Sequence, residues 1–267
     1  MATLRVGLCI EASVLESGDA ARSLAGSDIL VFPEMVDSGY RALKDGARAH
    51  RFGDPLLERF ALASTTIAPY CIAGSVYLAE PPLATSNTSL VFHHGRRIHR
   101  YDKIHLFRPA GDHQYFRPGK QIGTFPLTSG GVHLRAGVII CYDLRFPEIV
   151  RAMARMGLQV LFVPARWPSV RDEVWHTLLK ARAIENQIFV IGCNAHGAEG
   201  GSSYAFDPLG RSLFEKGSDE KAEAFAVTLD LDAFAEAHRL HRNLDEAVVL
   251  RSERLHRKVS AKRKGGR

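Results

Sequence analysis

Three residues stand where an apolar run stops and a reactive group begins. Ile29-Leu30-Val31-Phe32 leads into Pro33-Glu34, Gly137-Val138-Ile139-Ile140 leads into Cys141-Tyr142-Asp143, and Lys103 ends the β-prone stretch RRIHRYDK. Groups just beyond the carboxyl ends of buried strands line the usual crevice of α/β proteins. A thiol attacks only as thiolate, so it needs a base or a cation beside it. Glu34 can take that proton, and a carboxyl at a mostly apolar strand end is expected to have a raised pKa suited to acid–base exchange. Lys103 can stabilise both a thiolate and an oxyanion. Each residue alone has a plainer reading: Glu34 as a surface carboxylate, Cys141 as a small buried hydrophobe. Together they describe covalent chemistry by a cysteine, in a Glu–Lys–Cys set rather than one in which histidine moves the proton. Spacing alone does not show that the three meet.

The elements that would position them read as alternating strands and helices. Strands are expected at 4–10, 28–34, 71–79, 158–165, 188–195 and 222–231, with 132–143 a strand or strand pair. Residues 85–93 and 96–103 read as a hairpin turning at His94-Gly95. Asp207-Pro208-Leu209-Gly210 is a second turn between strands. Helical periodicity covers 55–68, 147–157 and 172–187, AFAEAHRLH opens a last helix, and the stretch between the first two strands leaves room for a short one. Trp175 and Leu178-Leu179 fall on helix core positions. Hairpins mixed with helices predict a mixed sheet, or two sheets, covered by helices.

A chain of 267 residues buries a substantial core, and its 46 % hydrophobic and 24 % charged content is that of an ordinary globular protein. No apolar run approaches the roughly 18 residues needed to span a bilayer. The first residues read as a strand rather than a secretory leader. Cys9, Cys71, Cys141 and Cys193 lie far apart with no C-x-x-C pair, which points to free thiols and a cytoplasmic location. The formal charge of +6 is concentrated in residues 251–267, which carry eight Lys or Arg against one Glu and leave 27 basic against 28 acidic residues in the body. The domain is therefore set at 1–250, with 251–267 a basic tail expected to be solvated and disordered. No aromatic residue interleaves with those charges, so nucleic acid is not an expected partner, and without a spanning apolar run neither is a membrane. His93, His94, His99 and His105 lack a third ligand at convincing spacing, and no metal or other cofactor is expected. No G-x-S-x-G, P-loop or G-x-G-x-x-G occurs.

FPE (32–34), YDKIHLF (101–107), CYDLRFPE (141–148) and LLKARAIENQIFVIGCNAHG (178–197) together resemble the nitrilase superfamily of carbon–nitrogen hydrolases, from about residue 4 to about residue 250. CYDLRFPE with HLFR, RWP and GCN is most similar to the ω-amidase branch. The resemblance implies a four-layer α-β-β-α sandwich, assembly as a homodimer or higher homo-oligomer, and Glu34, Lys103 and Cys141 as a triad. The Tyr142 N–H would join Lys103 as an oxyanion donor. Where most members carry a second glutamate ahead of a Pro-Gly turn, this chain has Asp112, one methylene shorter. Arg166 stands where related enzymes often have Asn; it is either a solvent-facing cation or a fork for a substrate carboxylate, with Trp167 beside it in the same subsite. Arg145 and Glu148 are expected to form a structural ion pair. The implied activity is hydrolysis of a small non-peptide amide, with an ω-amide of a short acid favoured. Deaminated glutathione, an N-carbamoyl amine and a nitrile remain open as substrates, as does a catalytically silent binding role.

Overall fold

A computed structural model of the chain describes residues 2–80, 85–216 and 223–248; the basic tail at 251–267 lies outside the described residues. Two mixed sheets form the centre. The first contains β1 (Thr3–Cys9), β2 (Ile29–Val31), β3 (Tyr70–Ile72), β4 (Val76–Leu78), β5 (Ser86–His93) and β6 (Arg96–Asp102), closed on one side by β13 (Ala224–Asp230). The second runs in order from β12 (Ser212–Lys216) through β11 (Ser203–Phe206), β10 (Phe189–Asn194), β9 (Val160–Ala165) and β8 (Val132–Val138) to β7 (Phe125–Ser129). The inner strands β1–β2–β3 and β8–β9–β10 are parallel, and the hairpins sit at the edges.

Residue patterning explains the layers. β9 and β10 are buried along their whole length, as strands covered on both faces must be, and read as continuous apolar runs. One side of each sheet meets the other in a shared core that includes Val6, Val31, Ile72, Val138, Phe162 and Ile191. The outer side of the first sheet packs under α1 (Gly18–Ser23) and α3 (Pro55–Thr66), where Phe60 meets Phe32 edge-on at 4.9 Å between ring centroids. The outer side of the second packs under α5 (Pro147–Arg155) and α6 (Asp172–Asn186) through Val150, Met153, Trp175 and Leu179. The result is the expected α-β-β-α sandwich.

The main departures from the sequence reading fall beside the reactive residues. β2 spans only three residues, and Pro33 and Glu34 lie past its end. The stretch 71–79 is two strands, not one, broken at Gly74. That glycine has φ +60°, and a Cβ there would stand 2.0 Å from the Pro33 carbonyl oxygen, so the close approach of the Pro33–Glu34 backbone requires it. Residues 132–143 split into β8 and a 3-10 turn, Cys141–Arg145. Two short helices beside the site, α2 (Gly39–Lys44) and α4 (Asp112–Tyr115), have no clear apolar period, and β7 was likewise not anticipated.

Candidate active site

Glu34 and Lys103 come from the first sheet, just past β2 and β6; Cys141 comes from the second, three residues past β8. Stacking the sheets brings these ends together. Lys103 Nζ donates to Glu34 Oε1 at 2.8 Å and to Asp112 Oδ2 at 2.8 Å. The charges of Glu34 and Lys103 both act on the Cys141 thiol, and the Arg166 backbone N–H donates to Glu34 Oε2 at 3.2 Å. Glu34, Lys103 and Asp112 are all at most 1 % exposed, and Cys141 is 8 % exposed at the floor of a cleft. The sequence-derived set thus meets, Asp112 included.

Two further groups complete the cluster. Tyr40, on α2, donates its hydroxyl to Glu34 Oε1 at 2.6 Å and accepts from Lys103 Nζ at 3.0 Å. Asn87, in the buried strand β5, donates to Glu34 Oε1 at 2.9 Å. Both were missed in the sequence. The available signals were an aromatic hydroxyl shortly after Glu34 and the polar run Ser86-Asn87-Thr88-Ser89 inside an otherwise buried strand.

Electrostatics follow from burial and proximity. Burial alone would raise the Glu34 pKa, but the Lys103 charge and hydrogen bond, with the bond from Tyr40, hold it below the usual carboxylate value. This corrects the expectation of a raised pKa: the strand end is apolar, but the carboxylate itself is fully hydrogen-bonded. Burial would lower Lys103, yet the charges of Glu34, Tyr40, Cys141 and Asp112 push it well above the ordinary lysine value. Asp112 is raised, chiefly by burial. Burial and the Glu34 charge push the Cys141 thiol far up, against the pull of Lys103 and the Arg166 N–H. The surroundings thus favour the ionised forms of Glu34 and Lys103 and the neutral form of the Cys141 thiol.

The turn carrying Cys141 is held from three sides. Cys141 has φ +45°, a sparsely populated conformation for a residue with a side chain. Asp143, fully buried, accepts from Tyr101 Oη at 2.7 Å, from the His105 N–H at 2.7 Å and from the Ile140 N–H at 3.3 Å. It therefore ties the Cys141 turn to the residues flanking Lys103. From α6, Arg182 Nη2 donates to the Leu144 carbonyl at 2.8 Å.

The Arg166 side chain is engaged rather than free. Its Nε donates to the Glu34 carbonyl at 2.8 Å and its Nη2 to the Met35 carbonyl at 2.9 Å, while Nη1 lies 3.6 Å from Glu199 Oε2. Solvent does not hold this guanidinium; the backbone of the Glu34 segment does. Trp167 is buried in the cleft wall, its N–H bonded to Asn194 Oδ1 at 2.8 Å and its indole N–H to the Arg171 carbonyl at 2.9 Å. The Tyr142 ring lines the cleft against Phe107. The expected Arg145–Glu148 pair does not form: the Arg145 guanidinium lies over Trp167, 4.9 Å from the ring centroid. Arg171 lies 5.5 Å over Phe107 with its Nε buried and unpartnered among the described residues. The cleft, about 260 Å³ with its open mouth, is thus floored by Cys141 and rimmed by aromatic rings and arginines.

Comparison with known proteins agrees with this geometry. The model of the carbon-nitrogen hydrolase family matches residues 7–239. A 2-oxoglutaramate amidase of Bacillus subtilis is 34 % identical over 199 residues, 73 % of this chain and 75 % of that protein. The ω-amidase YafV of Escherichia coli is 36 % identical over 196 residues, 71 % and 73 % respectively. A mutant amidase of Nesterenkonia sp. crystallised with butyramide superposes with a TM-score of 0.72 at 27 % identity, covering 89 % of this chain and 96 % of that one. The chain belongs to the carbon–nitrogen hydrolase family of the nitrilase superfamily, and it is an amidase of that family.

Proposed function

We infer that Cys141 is the nucleophile of a two-step amide hydrolysis with Glu34 as the only proton carrier. The observation that carries this reading is the buried, hydrogen-bonded Glu34–Lys103–Asp112 cluster, whose charges act on the Cys141 thiol at the floor of a cleft. Three donors crowd Glu34 Oε1, whereas among the described residues Oε2 takes only the Arg166 N–H at 3.2 Å. Oε2 is therefore the oxygen that accepts the thiol proton as Sγ attacks the amide carbonyl carbon. Lys103 and the Tyr142 N–H stabilise the oxyanion. Glu34 returns its proton to the amide nitrogen as the carbon–nitrogen bond breaks and ammonia leaves. Water then attacks the thioester, losing its proton to Glu34, and the released thiol recovers it. Asp112 keeps Lys103 charged and in place. No step calls for a metal or cofactor.

The substrate is a terminal amide of a short acid. The names of the two relatives support this, as do two arginines at the cleft that make no ion pair among the described residues, Arg145 and Arg171. An aromatic face does not neutralise a guanidinium, so both remain available to a substrate carboxylate. This moves the carboxylate-reading role from Arg166, which fastens the Glu34 segment, to the rim. The test is an ammonia-release screen over acidic amides, neutral amides, N-carbamoyl amines and nitriles, repeated with Arg145→Ala and Arg166→Ala. In Arg145→Ala, KM for an acidic amide rises roughly ten-fold, the low end for a charged hydrogen bond, and a neutral amide is little affected. In Arg166→Ala, kcat falls on both. Preference for a neutral amide or a nitrile in the parent enzyme would refute the ω-amide assignment. Assembly as a homodimer, through surfaces that include the exposed Val174 and Ile184 of α6, belongs to the same reading, and sedimentation measures it.

A further inference from the structure

Glu199 lies in the glycine-rich segment after β10 and touches none of Cys141, Lys103 or Asp112. Its Oε2 accepts the Tyr40 backbone N–H at 3.1 Å and stands 3.6 Å from Arg166 Nη1. The approach depends on Gly39, at φ +66°: a Cβ there would stand 2.6 Å from Glu199 Oε2 and 3.2 Å from Arg166 Cζ. No side chain fits between the acid and the start of α2.

Two supports of Glu34 converge on this one carboxylate. Tyr40 is the second residue of α2, whose first-turn N–H groups have no partner within the helix. Satisfying the Tyr40 N–H fixes how α2 begins, and with it where the phenol points: at Glu34 Oε1, 2.6 Å away. Arg166, the other support, holds the Glu34 and Met35 carbonyls while its third nitrogen faces Glu199. Glu199 is 35 % exposed, so the ion pair itself adds little to stability; its leverage is geometric. Met35 between the two supports has φ +47°, a conformation that the surroundings must impose.

We propose that Glu199 is a positioning residue for the general base, seating the Tyr40 hydroxyl and the Arg166 clamp on either side of Glu34 from a loop of the opposite sheet. The inference rests on Glu34 acting as the proton carrier. Without Glu199 the Tyr40 bond to Glu34 Oε1 loosens. That bond favours the ionised carboxylate, so its loss makes Glu34 harder to ionise.

The experiment compares Glu199→Ala, Glu199→Asp, Glu199→Gln, Tyr40→Phe and the Glu199→Ala/Tyr40→Phe double variant. In Glu199→Ala, kcat falls roughly ten-fold while KM stays within about two-fold, as expected for a misplaced catalytic group rather than a lost substrate contact. The acid limb of the pH profile moves to higher pH, Tyr40→Phe moves it the same way, and the double variant loses less than the two single losses combined, the remainder acting through Arg166. Glu199→Gln keeps an acceptor oxygen for the Tyr40 N–H and recovers most of the rate. Glu199→Asp keeps the charge but withdraws the oxygen, so it behaves like Ala and decides the matter should Glu199→Ala not fold. Iodoacetamide labelling of Cys141 against pH supplies an arm that needs no substrate. Its acid-side inflection rises in Glu199→Ala and Tyr40→Phe alike, even if no screened amide is hydrolysed. An unmoved inflection in Glu199→Ala, or losses that add in the double variant, overturns the proposal and leaves amide hydrolysis standing.

Discussion

At the residue scale, the lowered Glu34 and raised Cys141 pKa values distinguish two ways of making a thiolate. In an ion-pair nucleophile the thiol is deprotonated at rest and the neighbouring cation stabilises it. Here burial and the Glu34 charge oppose thiolate formation, and the thiol waits for a base. Glu34→Gln should therefore lower reactivity and turnover together. With the base gone, iodoacetamide labels Cys141 more slowly at neutral pH and without the acid-side inflection of the parent enzyme. Amide turnover should fall by roughly a thousand-fold or more, since no group remains to carry the proton. Labelling as fast as in the parent enzyme, with turnover lost, would mean that Glu34 does not deprotonate the thiol. Glu34, Lys103, Cys141 and Asp112 could be read from the sequence because each sits in a short distinctive run. Tyr40, Asn87 and the true partners of Arg166 could not, because their contacts bridge distant segments; Glu199 meets Tyr40 across 159 residues. The Glu34 pKa direction was misjudged for the same reason: the apolar strand was visible and its hydrogen-bond donors were not.

At the element scale, the strand ends do the placing and Asp143 connects them. β6 and the Cys141 turn belong to different sheets, yet one buried carboxylate accepts from Tyr101, from the His105 N–H and from the Ile140 N–H. Asp143→Ala would leave those buried donors unpaired at a cost of about 3–5 kcal/mol, enough to lower Tm by roughly ten degrees. Its effect on activity should fall on kcat for acidic and neutral amides alike, because it shifts Lys103 against Cys141 without touching a substrate carboxylate. A thermal melt with steady-state kinetics on both substrates checks this; unchanged Tm would contradict the bracing role. The long elements were legible, since β1, β9, β10, α3, α5 and α6 carry continuous or periodic apolar patterns. The short ones, α2, α4 and the Cys141 turn, are fixed by tertiary contacts and leave almost no local signal.

At the scale of the whole molecule, the site exists only because two sheets pack face to face. Glu34, Asn87 and Lys103 ride on one sheet, Cys141 and Arg166 on the other, and the shared core of Val31, Ile72, Val138 and Phe162 sets the distance between them. Sequence patterning indicated sheets covered by helices, and the motif resemblance supplied the sandwich. What neither could give was the depth at which the cluster is buried or the cleft's arginine rim. Among the described residues no helix is long and apolar enough to cross a membrane. Cys9, Cys71 and Cys193 are buried as well, and burial raises the pKa of each, with no lysine or carboxylate among the described residues acting on it. This contrast makes covalent capture the most direct test. The enzyme is quenched in acid during turnover of a slowly hydrolysed amide, digested, and mapped by mass spectrometry. The acyl mass should appear on Cys141 and on no other cysteine, accumulate no further in Cys141→Ala, and accompany complete loss of turnover in that variant. An acyl group on a different residue, or full activity in Cys141→Ala, would contradict the account.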